Sequence, residues 1–184
     1  MRIPRTFEFV DLSGFTNYTA EYGDDAAGRI LSAFRALVRE IASERGVRIA
    51  KWLGDGCMIV SVDQGAAIEF ALELEHRSAE LCAPLALRVG IASGHALLFE
   101  GDDYIGSAVN MAARLCDIAG PFEVLIPAAV IEGELPEGVT ATTRRPVELR
   151  GFPEPIDIVE LSGRPVVHAS NDTGELWTRT PFSQ

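Results

Sequence analysis

Cysteine is scarce: Cys57, Cys82 and Cys116 are the only three among 184 residues. They are widely spaced, form no CxxC and have no Cys/His metal-ligand spacing. Neither a disulfide framework nor a thiolate zinc site is expected, and reduced thiols in a cytoplasmic protein are the reading that remains. Basic residues are few as well: 16 Lys and Arg stand against 27 Asp and Glu, a formal net charge of −11. A general nucleic-acid binder needs a basic face that releases counterions, and a protein docking on anionic lipid needs one too. Neither partner is expected. A phosphate ligand remains compatible, provided that a metal ion or a few local cations carry the charge. Long apolar runs are missing: residues 57–60 and 124–131, the latter interrupted by Pro127, fall far short of the ~20 that a membrane helix needs. The opening MRIPRTFEFVDL holds no apolar signal segment, so export is not expected.

What is present fits a soluble globular domain, with 47% apolar and 23% charged residues. A chain of this size buries a full core without staples. One domain is expected over residues 1–161, followed by a polar tail over 162–184 in which Leu176, Trp177 and Phe182 are candidate anchors. The pattern predicts a strand over 6–12 and a long helix opened by Asp24 and Asp25 and stopped by Gly46. The apolar face of that helix is Ala27, Ile30, Leu31, Phe34, Leu37, Val38 and Ile41. Two β-rich runs, 47–53 and 57–62, flank Gly54-Asp55-Gly56 and read as a hairpin. A second helix is predicted over 66–81, a strand pair over 85–93 and 95–100 broken at Gly94, and a third helix over 106–119. A strand over 123–126, a short helix over 127–135 and strands over 139–149 and 156–161 complete the reading. This mixture favours an α+β sandwich with helices on one face of a mixed sheet.

Several residues stand out chemically. Asp11 ends an apolar strand and Asp55 sits at a hairpin tip. If the hairpin pairs with the first strand, two carboxylates converge, and carboxylates that close repel unless a cation lies between them. Mg²⁺ takes one or two carboxylates plus substrate phosphates. Gly-Asp-Gly also serves as an ordinary turn, and Asp as a helix cap. Gly14, Phe15 and Thr16 form a strand-to-helix turn whose free N–H groups suit a triphosphate. Asn110 and Arg114, four apart, share one helix face and would suit a developing phosphorane charge, or form a solvated stripe. Strand alternation places Lys51 on the same face as Val47, Ile49 and Leu53, where it needs a partner or ligand, unless its stem snorkels. Asp103 lies in a turn before the third helix, and Arg150 is a further candidate phosphate contact.

In order, these pieces resemble the class III nucleotidyl cyclase catalytic domain over residues 6–161. The motifs are Phe9-Val10-Asp11-Leu12-Ser13-Gly14-Phe15-Thr16, Lys51-Trp52-Leu53-Gly54-Asp55, Asp103-Tyr104-Ile105-Gly106 and Val109-Asn110-Met111-Ala112-Ala113-Arg114-Leu115, closed by Arg150. Each is weak alone; four in this order are specific. The resemblance implies a ferredoxin-like βαββαβ core with added C-terminal strands and helix. It implies two divalent cations, Mg²⁺ or Mn²⁺, held by Asp11, Asp55 and the Leu12 carbonyl. Gly14, Phe15 and Thr16 amides and Arg150 would meet phosphate, and Lys51 and Asp103 would read the purine. Asn110 would orient the ribose, and Arg114 would stabilise the transition state. The implied reaction turns ATP into 3′,5′-cyclic AMP and pyrophosphate in a head-to-tail homodimer with shared sites. A guanylyl cyclase and a non-catalytic nucleotide-binding regulatory domain are the alternatives. The first is disfavoured by Lys51 and Asp103, the second by the presence of both Asp residues and the Asn110/Arg114 pair.

Overall fold

The first strand anchors the molecule. In the computed structural model, which describes residues 2–100 and 103–165, β1 (Arg2–Ser13) lies in the middle of the sheet. It leads through α1 (Phe15–Tyr22) and α2 (Asp24–Arg45) to the hairpin β2 (Arg48–Leu53) and β3 (Gly56–Ser61). Then follow α3 (Gln64–Leu81), β4 (Ala86–Phe99), β5 (Asp103–Ile105) and α4 (Ser107–Ile118). The chain closes with β6 (Val124–Pro127), β7 (Val139–Thr143) and β8 (Ile158–Gly163). The strand order is β2-β3-β1-β4-β6-β8-β7, with β5 beside β4. The part β1-α2-β2-β3-α3-β4, with antiparallel order β2-β3-β1-β4, is the expected ferredoxin-like core. β6 extends it in parallel with β4, and β8 and β7 follow antiparallel.

Alternation along β1 divides the core in two. Val10 and Leu12 face α2 and α3, where they pack with Phe34, Val38, Ile41, Phe70 and Leu74. Phe7 faces the other way and packs with Ala92, Ala96, Ala108, Val109 and Ala112 beneath α4. Each large apolar side chain fully buried here stabilises the fold by about 1.5–3 kcal/mol. Helices therefore cover both faces, where the sequence suggested one. The packing of α4 explains this. A Cβ on Gly90 would stand 2.2 Å from the Ala112 carbonyl and 2.3 Å from the Cys116 nitrogen, so α4 lies with its backbone directly on β4.

Other expectations shift for local reasons. Gly94 does not break a strand pair. It pairs with Arg5 inside the continuous β4 and makes room for α4, with Ala108 Cβ 3.1 Å from where its own Cβ would be. The helix expected over 127–135 shrinks to a 3₁₀ turn, Ala128–Val130. The Gln64 side chain takes the backbone bonds that a helix would have used: Nε2 donates to the Val130 carbonyl at 2.7 Å, and the Glu132 N–H donates to Oε1 at 2.8 Å. The strand expected over 139–149 stops at Thr143, and Val147 then forms a single bridge with Ile156. The three cysteines are free and buried. Leu176, Trp177 and Phe182 lie outside the described residues. Among the described residues, no helix is long and apolar enough to cross a membrane.

Candidate active site

The hairpin pairs with the first strand, as the sequence suggested, and this places the Asp55 turn near Asp11. β3 pairs with β1 with Val10 opposite Cys57, which brings the Gly54-Asp55-Gly56 turn against Asp11. A Cβ on Gly56 would stand 2.3 Å from the Val10 carbonyl and 3.3 Å from Asp11 Oδ1, so only glycine lets the turn approach this closely. Burial pushes the Asp55 carboxyl up from its ordinary value, and the neighbouring Asp11 charge pushes it further. A divalent cation relieves such a pair. Among the described residues, no group of three or more His, Cys, Asp or Glu assembles. Two carboxylates are too few for an all-protein cage but suit Mg²⁺ or Mn²⁺ that completes its shell with phosphate oxygens. Leu12 has no side-chain donor atom and packs into the core, so its main-chain carbonyl is the one group it could offer as a further ligand.

A residue the sequence reading missed joins this corner. Arg88, opposite Asp11 in the β1–β4 ladder, donates from Nε at 2.8 Å and from Nη2 at 2.6 Å, both to Asp11 Oδ2. Its Nη1 donates to the Asp117 carbonyl at 3.3 Å. The signal was a lone charge alternating with Leu87, Val89 and Ile91, but only the strand register shows that Asp11 lies across from it.

Beside the carboxylates, Gly14 takes the left-handed conformation (φ 86°) and starts α1 with no side-chain cap. The first N–H groups of α1 therefore have no side chain competing for them, and Phe15 anchors the turn by packing on the core. Such a helix start favours anions.

Lys51 and Asp103 form a second cluster. Lys51 Nζ lies 2.8 Å from Asp103 Oδ1, and both side chains are partly exposed. The Lys51 hydrogen bond, and then the Tyr104 N–H at 2.9 Å, hold the Asp103 carboxyl below its ordinary value. The parity expected for Lys51 is corrected. Ile49 pairs with Ile59 but Lys51 pairs with Met58, so a β-bulge at Ala50 resets the alternation. Ile49 and Trp52 then pack toward α2 and α3, Ala50 packs on the α4 side, and Lys51 is freed to meet Asp103.

The third cluster is built on α4. Its buried residues Ala108, Ala112 and Leu115 face the sheet, which leaves Asn110 and Arg114 on the outer side. Together with Ser107, Arg150, Gly151 and Phe152 they line a pocket of about 370 Å³. Arg114 also pairs with Asp117 at 2.9 Å. Two guanidinium groups and an amide around one pocket make an anion-binding wall.

Comparison with known proteins identifies the family of the chain. Residues 5–163 match the family described as the adenylate and guanylate cyclase catalytic domain. An uncharacterized protein of Mycobacterium tuberculosis is 34% identical over 85% of this chain and 41% of its own length. An adenylate cyclase of Streptomyces coelicolor is 37% identical over 67% of the chain and 32% of its own length. The chain thus spans well under half the length of these relatives. The crystal structure of the adenylyl cyclase CyaB from P. aeruginosa superposes with a TM-score of 0.77 at 25% identity, covering 95% of this chain and 98% of that one. The matched span, the order of the motifs and the fold together place this chain in the adenylate and guanylate cyclase catalytic domain family.

Proposed function

We propose that this chain converts ATP to 3′,5′-cyclic AMP and pyrophosphate at a site shared between two head-to-tail copies. The observation that carries the adenine reading is the Lys51–Asp103 pair, already assembled at 2.8 Å. A Lys ammonium only donates and an ionised Asp only accepts. Lys51 therefore serves the adenine N1 acceptor, and Asp103 accepts from the N6 amino group. Guanine reverses both roles, which disfavours the guanylyl reading.

Two divalent cations at Asp11, Asp55 and the Leu12 carbonyl would supply activation of the ribose 3′-hydroxyl and charge neutralisation of the leaving pyrophosphate. The protein's own groups position and stabilise. The N–H groups of Gly14, Phe15 and Thr16 receive the β- and γ-phosphates, aided by Arg150. Asn110 orients the ribose. Arg114 donates to the α-phosphate oxygens as charge develops there, an interaction strongest in the transition state. Arg88, already neutralising Asp11, adds a further guanidinium at the phosphate edge.

Sharing of the site is supported by exposed apolar surface on the β4–β5 arm that carries Asp103. Leu97, Phe99 and Ile105 are 37%, 46% and 54% exposed there. One copy would give Asp11, Asp55 and the Gly14 turn, and the other Lys51, Asp103, Asn110 and Arg114.

The testing experiment incubates the chain with ATP and Mn²⁺ or Mg²⁺ and looks for cyclic AMP by chromatography, with Asp11→Ala as control. Cyclic AMP from the parent chain and none from the variant supports the reading. Equal product from both removes Asp11 from the site.

A further inference from the structure

The turn that carries Asp55 is poorly supported by its own strands. The β2–β3 ladder ends at the pair Leu53–Gly56, Gly54 holds a left-handed φ of 69°, and Leu53 is 45% exposed. Like charge on Asp11 and Asp55 pushes the turn away from β1, and the Arg88 guanidinium on Asp11 offsets only part of that push. The close seat of Gly56 on the Val10 carbonyl holds one side of the turn. The other side is held from α2. Arg35 Nη2 donates to the Gly54 carbonyl at 2.9 Å, and the Arg35 guanidinium lies 4.9 Å from the Trp52 ring centroid. Arg39, one turn further along α2, lies 5.1 Å from the same ring. Among the described residues, Arg35 Nε is buried without a hydrogen-bond partner, so Gly54 and Trp52 are the contacts that orient this head.

We propose that Arg35 is a positioning residue, which clamps the Gly54-Asp55 turn to α2 and so sets the Asp55 carboxylate beside Asp11 for cation binding. It touches neither substrate nor ion and acts through the main chain of Gly54. The planar guanidinium suits this task because it stacks on an indole while one edge N–H reaches a carbonyl. The β-bulge at Ala50 is what turns Trp52 toward α2, so the feature that frees Lys51 for Asp103 also builds the platform on which Arg35 lies. Arg39 shares the ring but has no part in holding the carbonyl.

The inference rests on the reading of Asp11 and Asp55 as cation ligands, and the experiment separates the two. Mn²⁺ is titrated into the full chain in the presence of 3′-deoxy-ATP, which has no hydroxyl to cyclise, and free Mn²⁺ is followed by electron paramagnetic resonance. The variants are Arg35→Met, Arg35→Lys, Arg39→Met and Asp55→Asn. Loss of a group that orients a ligand weakens metal binding by about 10-fold or more. Arg35→Met is expected to do so, with Arg39→Met within ~2-fold of the parent chain, a range well inside that tenfold criterion. Arg35→Lys keeps the charge but not the fork, so several-fold weakening is expected; it carries the test if the Met variant fails to fold. KM for ATP at saturating Mn²⁺ stays near the parent value in both Arg35 variants. Parent-like Mn²⁺ affinity in a folded Arg35 variant, with Asp55→Asn weakened, overturns the role of Arg35 alone. Parent-like affinity in Asp55→Asn overturns the ligand reading and this inference with it.

Discussion

Lys51 and Asp103 meet at 2.8 Å because a β-bulge at Ala50 moves Lys51 off the face that simple strand alternation assigns to it. The pair is partly exposed, at 40% and 45% of the side chains, so solvent screening keeps its contribution to stability small. Lys51→Ala is therefore expected to leave the thermal midpoint within a few degrees while lowering kcat/KM for ATP at least tenfold. Calorimetry together with steady-state kinetics checks both halves. A large fall in the midpoint would make Lys51 a structural residue instead.

Much of the candidate site was legible because its residues lie in short local patterns. Asp11, Gly14, Asp55 and the Asn110/Arg114 spacing are short-range patterns, and the hairpin followed from Gly-Asp-Gly between two β-rich runs. What stayed hidden depends on register and packing. Arg88 meets Asp11 only once β1 and β4 are aligned. Gly94 reads as a breaker, yet it is a packing gap for α4, as is Gly90. The bulge at Ala50 leaves no mark in composition. The helix expected after Pro127 gives way to bonds from Gln64, more than sixty residues earlier in the chain.

Glu8 supplies a pH-dependent prediction. It is fully buried at 0% exposure on the α2/α3 side of β1, and neither carboxylate oxygen has a hydrogen-bond partner among the described residues. Burial raises its pKa well above the ordinary carboxylate value. A carboxyl whose folded pKa is raised binds more protons folded than unfolded, so stability falls as pH rises from about 4.3 toward the folded pKa. Glu8→Met removes this dependence and the unsatisfied group, and is expected to gain about 1–3 kcal/mol at neutral pH. Urea unfolding of both chains at several pH values measures it; a less stable Glu8→Met chain at neutral pH would contradict it.

Gly90 tests the seating of α4. With backbone atoms 2.2 and 2.3 Å from its would-be Cβ, Gly90→Ala forces the helix outward. A loss of about 3 kcal/mol is expected from such overpacking. Arg114 and Asn110 move with the helix, so cyclase activity falls further than the folded fraction does. Unchanged stability would mean that α4 yields without strain.

Sharing of the site is checked by mixing Asp11→Ala chains with Arg114→Ala chains, each inactive alone. If each site draws Asp11 from one copy and Arg114 from the other, mixed dimers hold one intact site. Activity then returns to about a quarter of the parent value by symmetry counting. No recovery, with subunit exchange shown by labelled chains, places the whole site within one copy.

The adenine reading is the central claim, and kcat/KM for ATP and GTP, in the parent chain and in Lys51→Glu/Asp103→Cys, tests it most directly. A polar mismatch that the bound base desolvates discriminates by factors of ~10⁴. The account predicts cyclic AMP as the dominant product of the parent chain and a ratio that collapses or reverses in the double variant, because Glu accepts from the guanine N1–H. An ATP/GTP ratio that is the same in both chains, or a parent chain that prefers GTP, would contradict it.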